Sequence, residues 1–337
     1  MNLTDTSGFT SIMEATDVVT QIDDRLADWR TYQILTSLTA FLSLYIAVTQ
    51  ISYCFLVLPK KTNAKRSKFD EVQTSHSRPG PQGQFFCTLN VMVTVAAVFA
   101  FMRCGFDFCW VMERFTDLAC ELSIKFKKSC YAVSMLFIYL SLWLRQRVFY
   151  QHPLLHHLSS RAVRFISWSV SVLLVTGIVF LGVFYMVTAT YVGTPRGCTV
   201  VKNPLTIVRW YLLVFILVPF QISLLALYSY PLIKHRLVAM GPTGKANHVI
   251  PMIRRAALAA AFCSVSDIAF ATVFLVYESD VMTLTTYLYD INIVINLLGL
   301  IFSFQNWQTR LMPWRIKKNE DLDSATESKV ETTLTQV

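Results

Sequence analysis

Three long, strongly apolar stretches of the chain contain no charged residue: Ile34–Leu58, Phe165–Val192 and Trp210–Ile233. A hydrocarbon core about 30 Å thick is crossed by roughly 20 apolar residues at a helical rise of 1.5 Å. Each run is therefore read as a spanning helix, because only a helix satisfies its own backbone hydrogen bonds in lipid. Composition agrees: 54% of the 337 residues are hydrophobic and 15% are charged, against about 25% charged in soluble domains. A net charge of +9 would suggest nucleic-acid binding in a soluble chain, but in this setting its distribution carries the information, and no nucleic-acid partner is expected.

Four further segments complete a set of seven. Phe85–Met102 is uncharged but short, and is expected to continue at an interface through Arg103 to Trp110. Ser129–Leu144 reaches spanning length if Glu121 to Lys128 form the polar top of the same helix. Ala256–Tyr277 carries Asp267, and Val281–Thr309 carries Asp290 with Asn292 and Asn296 nearby. The fold class expected is an all-α membrane protein, a seven-transmembrane helix bundle. Residues 1–31 form an N-terminal segment, 32–316 the transmembrane domain and 317–337 a polar tail. The first thirty residues include Glu14, Asp17, Asp23, Asp24 and Asp28 and lack an apolar signal-peptide core. The first span is thus expected to act as its own insertion signal.

Lysine and arginine concentrate in the 1–2, 3–4 and 5–6 connections and after the last span, for example Lys60, Lys61, Arg147, Arg164, Lys234, Arg236, Arg315 and Lys317. These connections lie on one side, so the positive-inside rule places the N-terminus outside and the C-terminus in the cytoplasm. The outer side carries the acidic N-terminus, Glu278 and Asp280, diluted by Arg196, Lys202 and Arg209. The Asn2-Leu3-Thr4 sequon at Asn2 is consistent with an outer N-terminus. No internal repeat of the kind found in secondary transporters is visible.

Eight cysteines are too few for a disulfide scaffold. Cys120 opens the third helix on the outer side and Cys198 lies in the outer 4–5 loop, Tyr191 to Arg209. They are either two free thiols or a bridge that pins the loop over the bundle as the roof of a cavity. Cys104 and Cys109, also near the outer face, are either a second, local pair or two free thiols, and Cys54, Cys87, Cys130 and Cys263 are read as packing residues.

Arg145 follows Cys120 by twenty-five residues, in Trp143-Leu144-Arg145-Gln146-Arg147. With these residues the chain resembles the rhodopsin-like (class A) G-protein-coupled receptors, whose third helix begins with the loop-bridging cysteine and ends at this spacing with an arginine. Trp168 resembles that family's fourth-helix tryptophan, Pro219 its fifth-helix proline and Asn296 the seventh-helix asparagine. Trp307 resembles the aromatic that begins a short amphipathic eighth helix, followed by Gln308, Thr309, Arg310 and Leu311. The resemblance covers residues 30–316 as an architecture, with partial motifs. Leu144 and Gln146 replace the acid and tyrosine beside the arginine, and Leu297 and Leu300 the seventh-helix proline and tyrosine. The sixth helix reads Phe262-Cys263-Ser264-Val265-Ser266-Asp267 in place of Cys-Trp-x-Pro, and the second has Asn90 but no aspartate for sodium. A divergent invertebrate-type or chemoreceptor-like branch fits these departures. The last span contains no lysine for a retinal Schiff base, so an opsin is not expected.

The resemblance implies a receptor that couples an outer ligand pocket to a cytoplasmic G-protein cleft by shifting between helix packings. Arg145, with Arg147, is expected to face a heterotrimeric G protein; otherwise both are simply positive-inside residues. With no acid at position 144 the restraint on Arg145 would be weak and basal activity raised. The position seven after the family's cysteine points into the ligand pocket, here Lys127, and Asp290, six before Asn296, faces the same pocket. A Lys127–Asp290 ion pair is therefore expected, in which loss of one partner would cost about 3–5 kcal/mol. It is either a structural latch or a site where an acidic ligand displaces Asp290. Lys125 and Lys128 near the outer mouth favour a carboxylate, phosphate, acidic lipid or acidic peptide over an amine. Asp267 needs a partner, with Lys128 or Asn292 available.

Ser324, Thr326 and Ser328 would supply phosphates for an arrestin-type partner. The C-terminal Thr335-Gln336-Val337 suits a PDZ groove, with Thr335 and Val337 as its reading positions. His152, His156 and His157 are read as a solvated loop, because Pro153 interrupts any helix that would bring them onto one metal. No cofactor, metal or enzymatic role is expected. The competing functions are a seven-helix ligand-gated channel or channel-type chemoreceptor, which runs with its N-terminus inside, and a transporter or membrane enzyme. The expected location is the plasma membrane.

Overall fold

A computed structural model describes residues 31, 33–57, 81–107, 116–151, 161–194, 197–201, 205–238, 249–276, 282–304 and 306–312. Helix α1 covers 33–52 and ends in a π-helical turn, Tyr53–Val57. It is followed by α2 (Pro81–Phe106), α3 (Asp117–Gln151) and α4 (Arg161–Thr188). A hairpin of β1 (Tyr191–Thr194) and β2 (Gly197–Val200) precedes α5 (Leu205–Val238), α6 (Val249–Val276), α7 (Met282–Phe302) and α8 (Trp307–Leu311). Five segments are long and apolar enough to cross a membrane: Gln33–Phe55, Cys87–Phe106, Arg161–Thr188, Tyr211–Tyr230 and Ile253–Val273. Helix α7 contributes a shorter apolar stretch, Thr286–Phe302, and α3 carries its charges near its two ends.

The helices are apolar outside and polar within, the reverse of a soluble bundle. On α1, Ile34, Leu38, Phe41, Val48 and Phe55 recur at helical spacing on the exposed face, while Thr36, Thr39, Ser43, Thr49 and Gln50 are buried. Three of these buried hydroxyls donate back to their own helix: Thr39 to the Thr36 carbonyl at 3.0 Å, Ser43 to the Ala40 carbonyl at 2.9 Å and Thr49 to the Ile46 carbonyl at 2.9 Å. These are the properties of a protein whose outer surface meets lipid, and the chain is a membrane protein with transmembrane helices.

Helix α3 is the axis, touching α2, α4, α5, α6, α7 and both strands. Small residues set its closest seam: Ala96, Ala97 and Ala100 of α2 are fully buried, and Ser134 of α3 donates to the Ala96 carbonyl at 2.8 Å. At the α6–α7 seam, a Cβ on Gly299 would meet Cys263 Sγ at 3.0 Å, so only glycine fits without a shift. A continuous apolar core includes Ile46, Val93, Ile138, Leu142, Leu224 and Leu297.

Several boundaries differ from the sequence reading. Tyr191 and Val192 leave the fourth helix for β1, and Arg209 lies in α5 instead of the loop. The last span ends at Phe302, not Thr309: a turn at Ser303 and Phe304 separates it from α8, which begins at the expected Trp307. The Tyr45 hydroxyl donates to the Leu311 carbonyl at 2.7 Å and holds α8 against α1.

Candidate functional site

The hairpin becomes a roof through one covalent link. Cys120, in the first turn of α3, is disulfide-bonded to Cys198 of β2 across a sequence separation of 78 residues. In the hairpin register Gly193 faces Cys198, and Tyr191 pairs with Val200. Cys120, Ile124, Ala189, Tyr191 and Cys198 form a small buried cluster of their own. The bridge is one of the two readings the sequence allowed for Cys120 and Cys198; of the second couple, Cys104 is a free, buried thiol and Cys109 lies outside the described residues.

Below the roof, four charged side chains meet between α2, α3 and α7. Arg103 Nε donates to Asp290 Oδ1 at 2.7 Å, and Lys127 Nζ lies 3.0 Å from Asp107 Oδ1. Arg103 also donates to the carbonyls of Lys127 and Thr286, each at 3.0 Å, and its guanidinium sits 5.6 Å and 5.3 Å from the Tyr131 and Tyr289 ring centres. The direct Lys127–Asp290 pair is thus corrected to two crossed pairs. Arg103 and Asp107 lie at the very end of α2, where a helix that seemed to be leaving the membrane instead turns both side chains inward. Burial pushes the Asp107 carboxyl up, but the charges of Lys127 and Arg103 beside it prevail and hold it below the ordinary aspartate range.

Asp267 of α6 is buried and, among the described residues, is held by neutral donors and no cation. Asn292 and Asn296 donate to Oδ1 at 2.9 and 2.7 Å, and Gln221 donates to Oδ2 at 2.7 Å. The Tyr139 hydroxyl donates to the same Oδ2. Ser264 extends the network to Gln221 Oε1 at 2.6 Å, and Ser266 donates to Asn292 Oδ1 at 3.0 Å. Asn292 was one of the partners foreseen; Lys128 is not, and Gln221, Tyr139 and Asn296 were missed as partners.

A cavity of about 1040 Å³ opens between α3, α4 and α5, with α6 and α7 on its far side. Lys128 and Asp267 line it, with Arg103, Tyr139, Tyr289 and Asn292; Lys127 and Asp290 are buried beside it in the crossed pairs. Lys128 Nζ donates to the Tyr191 hydroxyl at 2.6 Å and lies 5.1 Å from the Tyr185 and Tyr191 ring centres. Burial pushes the Tyr191 phenol up to about 12, so at neutral pH a neutral hydroxyl accepts this bond. Pro219 lines the α5 wall.

The opposite end of α3 holds Arg145, 3% exposed, which donates to the hydroxyl and carbonyl of Ser303 in the turn after α7. Its guanidinium lies 4.8 Å from the Phe304 ring centre. Arg147 instead stacks over Trp168 at 4.6 Å and Trp143 at 5.7 Å on the flank of the bundle. Arg310, read from sequence as an interfacial cation, is 1% exposed: it donates to Gln50 at 3.3 Å and to Asn90, and lies 3.5 Å from the Phe304 ring centre. Tyr228 and Tyr150 tie α3 to α5 through the Leu142 and Leu227 carbonyls, at 2.5 and 2.9 Å. No metal-binding group of His, Cys, Asp or Glu occurs among the described residues. Asn2, the histidines at 152, 156 and 157, Ser324, Thr326, Ser328, Thr335 and Val337 lie outside the described residues.

No protein-family model matches the chain, and no curated protein matches it.

Proposed function

We propose that the protein is a seven-helix receptor with the architecture of the rhodopsin-like class, α3 and α7 completing the five apolar spans. An extracellular ligand, favoured to be anionic, occupies the cavity under the hairpin, and a heterotrimeric G protein is engaged at the cytoplasmic end. The N-terminus is outside, the C-terminus is in the cytoplasm and the location is the plasma membrane. Arrestin- and PDZ-type partners of the tail belong to the same reading.

The observation that carries it is the layout of α3. One helix bears the disulfide-bound roof and cavity at one end and a buried arginine, held by the turn after α7, at the other. Ser303 takes the restraining role that an adjacent acid has in the resembled family. Ligand binding that favours a different packing of α3 against α7 would release Arg145 toward a partner. In this account Arg145 is concealed in the described state and Arg147 is a flanking cation, not a second docking residue.

The test is nucleotide exchange on a panel of Gα subunits, using the full-length protein in lipid nanodiscs. Ser303→Ala, which removes the hydroxyl acceptor, raises ligand-free exchange at least threefold, and Arg145→Ala abolishes it. Equal exchange by wild type and both variants on every Gα class contradicts the proposal.

A further inference from the structure

The cavity has two chemically different parts. Its roof is cationic and hydroxylic: among the described residues Lys128 meets no carboxylate, its ammonium bonding only to the Tyr191 hydroxyl and facing two tyrosine rings. A second cation stands close by, the Arg209 guanidinium lying 5.9 Å from the ring centre of the same Tyr185. Lys125, also on the wall, is engaged by Glu121 one turn away. Asp267, on the α6 side, has both oxygens occupied by donors and offers no acceptor to a ligand.

The remainder is hydrocarbon, and it is open sideways. Leu173, Val179, Phe180 and Val183 of α4 and Phe215 of α5 line the cavity yet are each more than half exposed. Helices α4 and α5 are also the least enclosed spans, with 22% of their apolar windows buried against 44% for α1 and α2. Where they do meet, the approach is narrow: a Cβ on Gly177 would lie 3.0 Å from Ile216. A cavity of about 1040 Å³ sits at the upper end of small-molecule sites, and its walls are continuous with the faces of α4 and α5 that meet acyl chains. A small hydrophilic anion would leave those walls unfilled.

We infer that the ligand of this cavity is a bilayer-resident amphiphile, a single hydrocarbon chain bearing one compact anionic head, carboxylate or phosphate monoester. This rests on the ligand-pocket reading above and names its chemistry. The head takes the free donors of Lys128 beneath the roof; the chain lies between α3, α4 and α5 and leaves toward lipid. A charge-assisted hydrogen bond to the Lys128 ammonium offsets the cost of taking the anionic head out of water, and the buried chain supplies the remaining affinity.

Radiolabelled oleate binding to the full-length protein in phosphatidylcholine nanodiscs tests this. The competitors are monoolein (chain without charge), oleylamine (chain with a positive charge), 1-oleoyl lysophosphatidate, and acetate or inorganic phosphate (charge without chain). Oleate or lysophosphatidate binds at least about tenfold more tightly than monoolein and oleylamine, and acetate and phosphate do not compete. Lys128→Gln weakens oleate about tenfold or more, the range of one charge-assisted hydrogen bond, and leaves monoolein unchanged, whereas Lys128→Arg keeps oleate within threefold. Gly182 lines the cavity, and a Cβ there meets nothing within 4 Å. Gly182→Phe therefore adds bulk to the chain site from a position whose Cβ is open, and weakens every chain-bearing ligand. Equal competition by monoolein, or oleate binding unaffected by both variants, overturns the inference. Competition by acetate or phosphate as strong as by oleate overturns the chain and leaves an anion site. Because binding is read without a G protein, a failure of coupling leaves this result standing and is distinguished from it.

Discussion

Two buried carboxylates on neighbouring helices are accommodated in opposite ways. Asp290 of α7 is met by a full positive charge, Arg103, within a cluster where Lys127 and Asp107 balance a second pair. Asp267 of α6 is met, among the described residues, by amides and a phenol, four neutral donors from α3, α5 and α7. Charge pairing is all-or-none: removing one member strands the other. Neutral solvation is distributed, so each donor carries a fraction, and the site tolerates loss of one. The first kind of site locks α2, α3 and α7 together beneath the hairpin; the second joins α3, α5, α6 and α7 in the middle of the bundle.

The sharpest break in that contrast is Asp290→Ala. It leaves the Arg103 guanidinium buried without its carboxylate and destabilises the purified protein by about 3–5 kcal/mol, whereas the double variant Arg103→Met, Asp290→Leu recovers most of the loss; both are read from thermal unfolding in detergent. Asp267→Asn, which keeps one acceptor oxygen and turns the other into a donor facing donors, costs about 1–3 kcal/mol. No single partner substitution rescues it, because three other donors remain. Tyr139→Phe removes one donor of four and costs about 1 kcal/mol. Lys125→Ala, at the half-buried i,i+4 pair with Glu121, changes stability by at most about 0.5 kcal/mol. Acidification sharpens the contrast further. Asp107 is held below its ordinary range, so the stability it supplies is complete above that range and is lost as pH falls through its depressed value. The Asp107 contribution, read as the difference in unfolding temperature between wild type and Asp107→Asn, should therefore hold level from neutral pH to about 4 and shrink below it.

The two sites also differ in how far the sequence disclosed them. Uncharged runs declare helices in lipid, and the lone acids Asp267 and Asp290 stand out against them, as do Lys127 and Lys128. Cys120 and Cys198 were marked by their predicted outer position. The partner of Asp290 was missed because Arg103 and Asp107 sit where α2 ends, and end-of-span charges ordinarily snorkel to the interface. Gln221 and Tyr139 gave no signal at all: a neutral side chain in an apolar run has no visible obligation until the helices are packed. Arg310 and Ser303 gave no signal for the same reason at the Arg145 end of the bundle, since burial of α8's cation against Gln50 and Asn90 depends on helices far apart in the chain. The hairpin was hidden as well, Tyr191 and Val192 prolonging an apolar run that the structure divides into helix and strand.

The account depends on the roof facing outward and Arg145 facing the cytosol. Epitope tags at the N- and C-termini of the full-length protein, stained on intact and on permeabilised cells, test this most directly. The prediction is N-terminal staining on intact cells and C-terminal staining only after permeabilisation. The reverse pattern would put the Cys120–Cys198 bridge in the reducing cytosol and contradict the receptor reading.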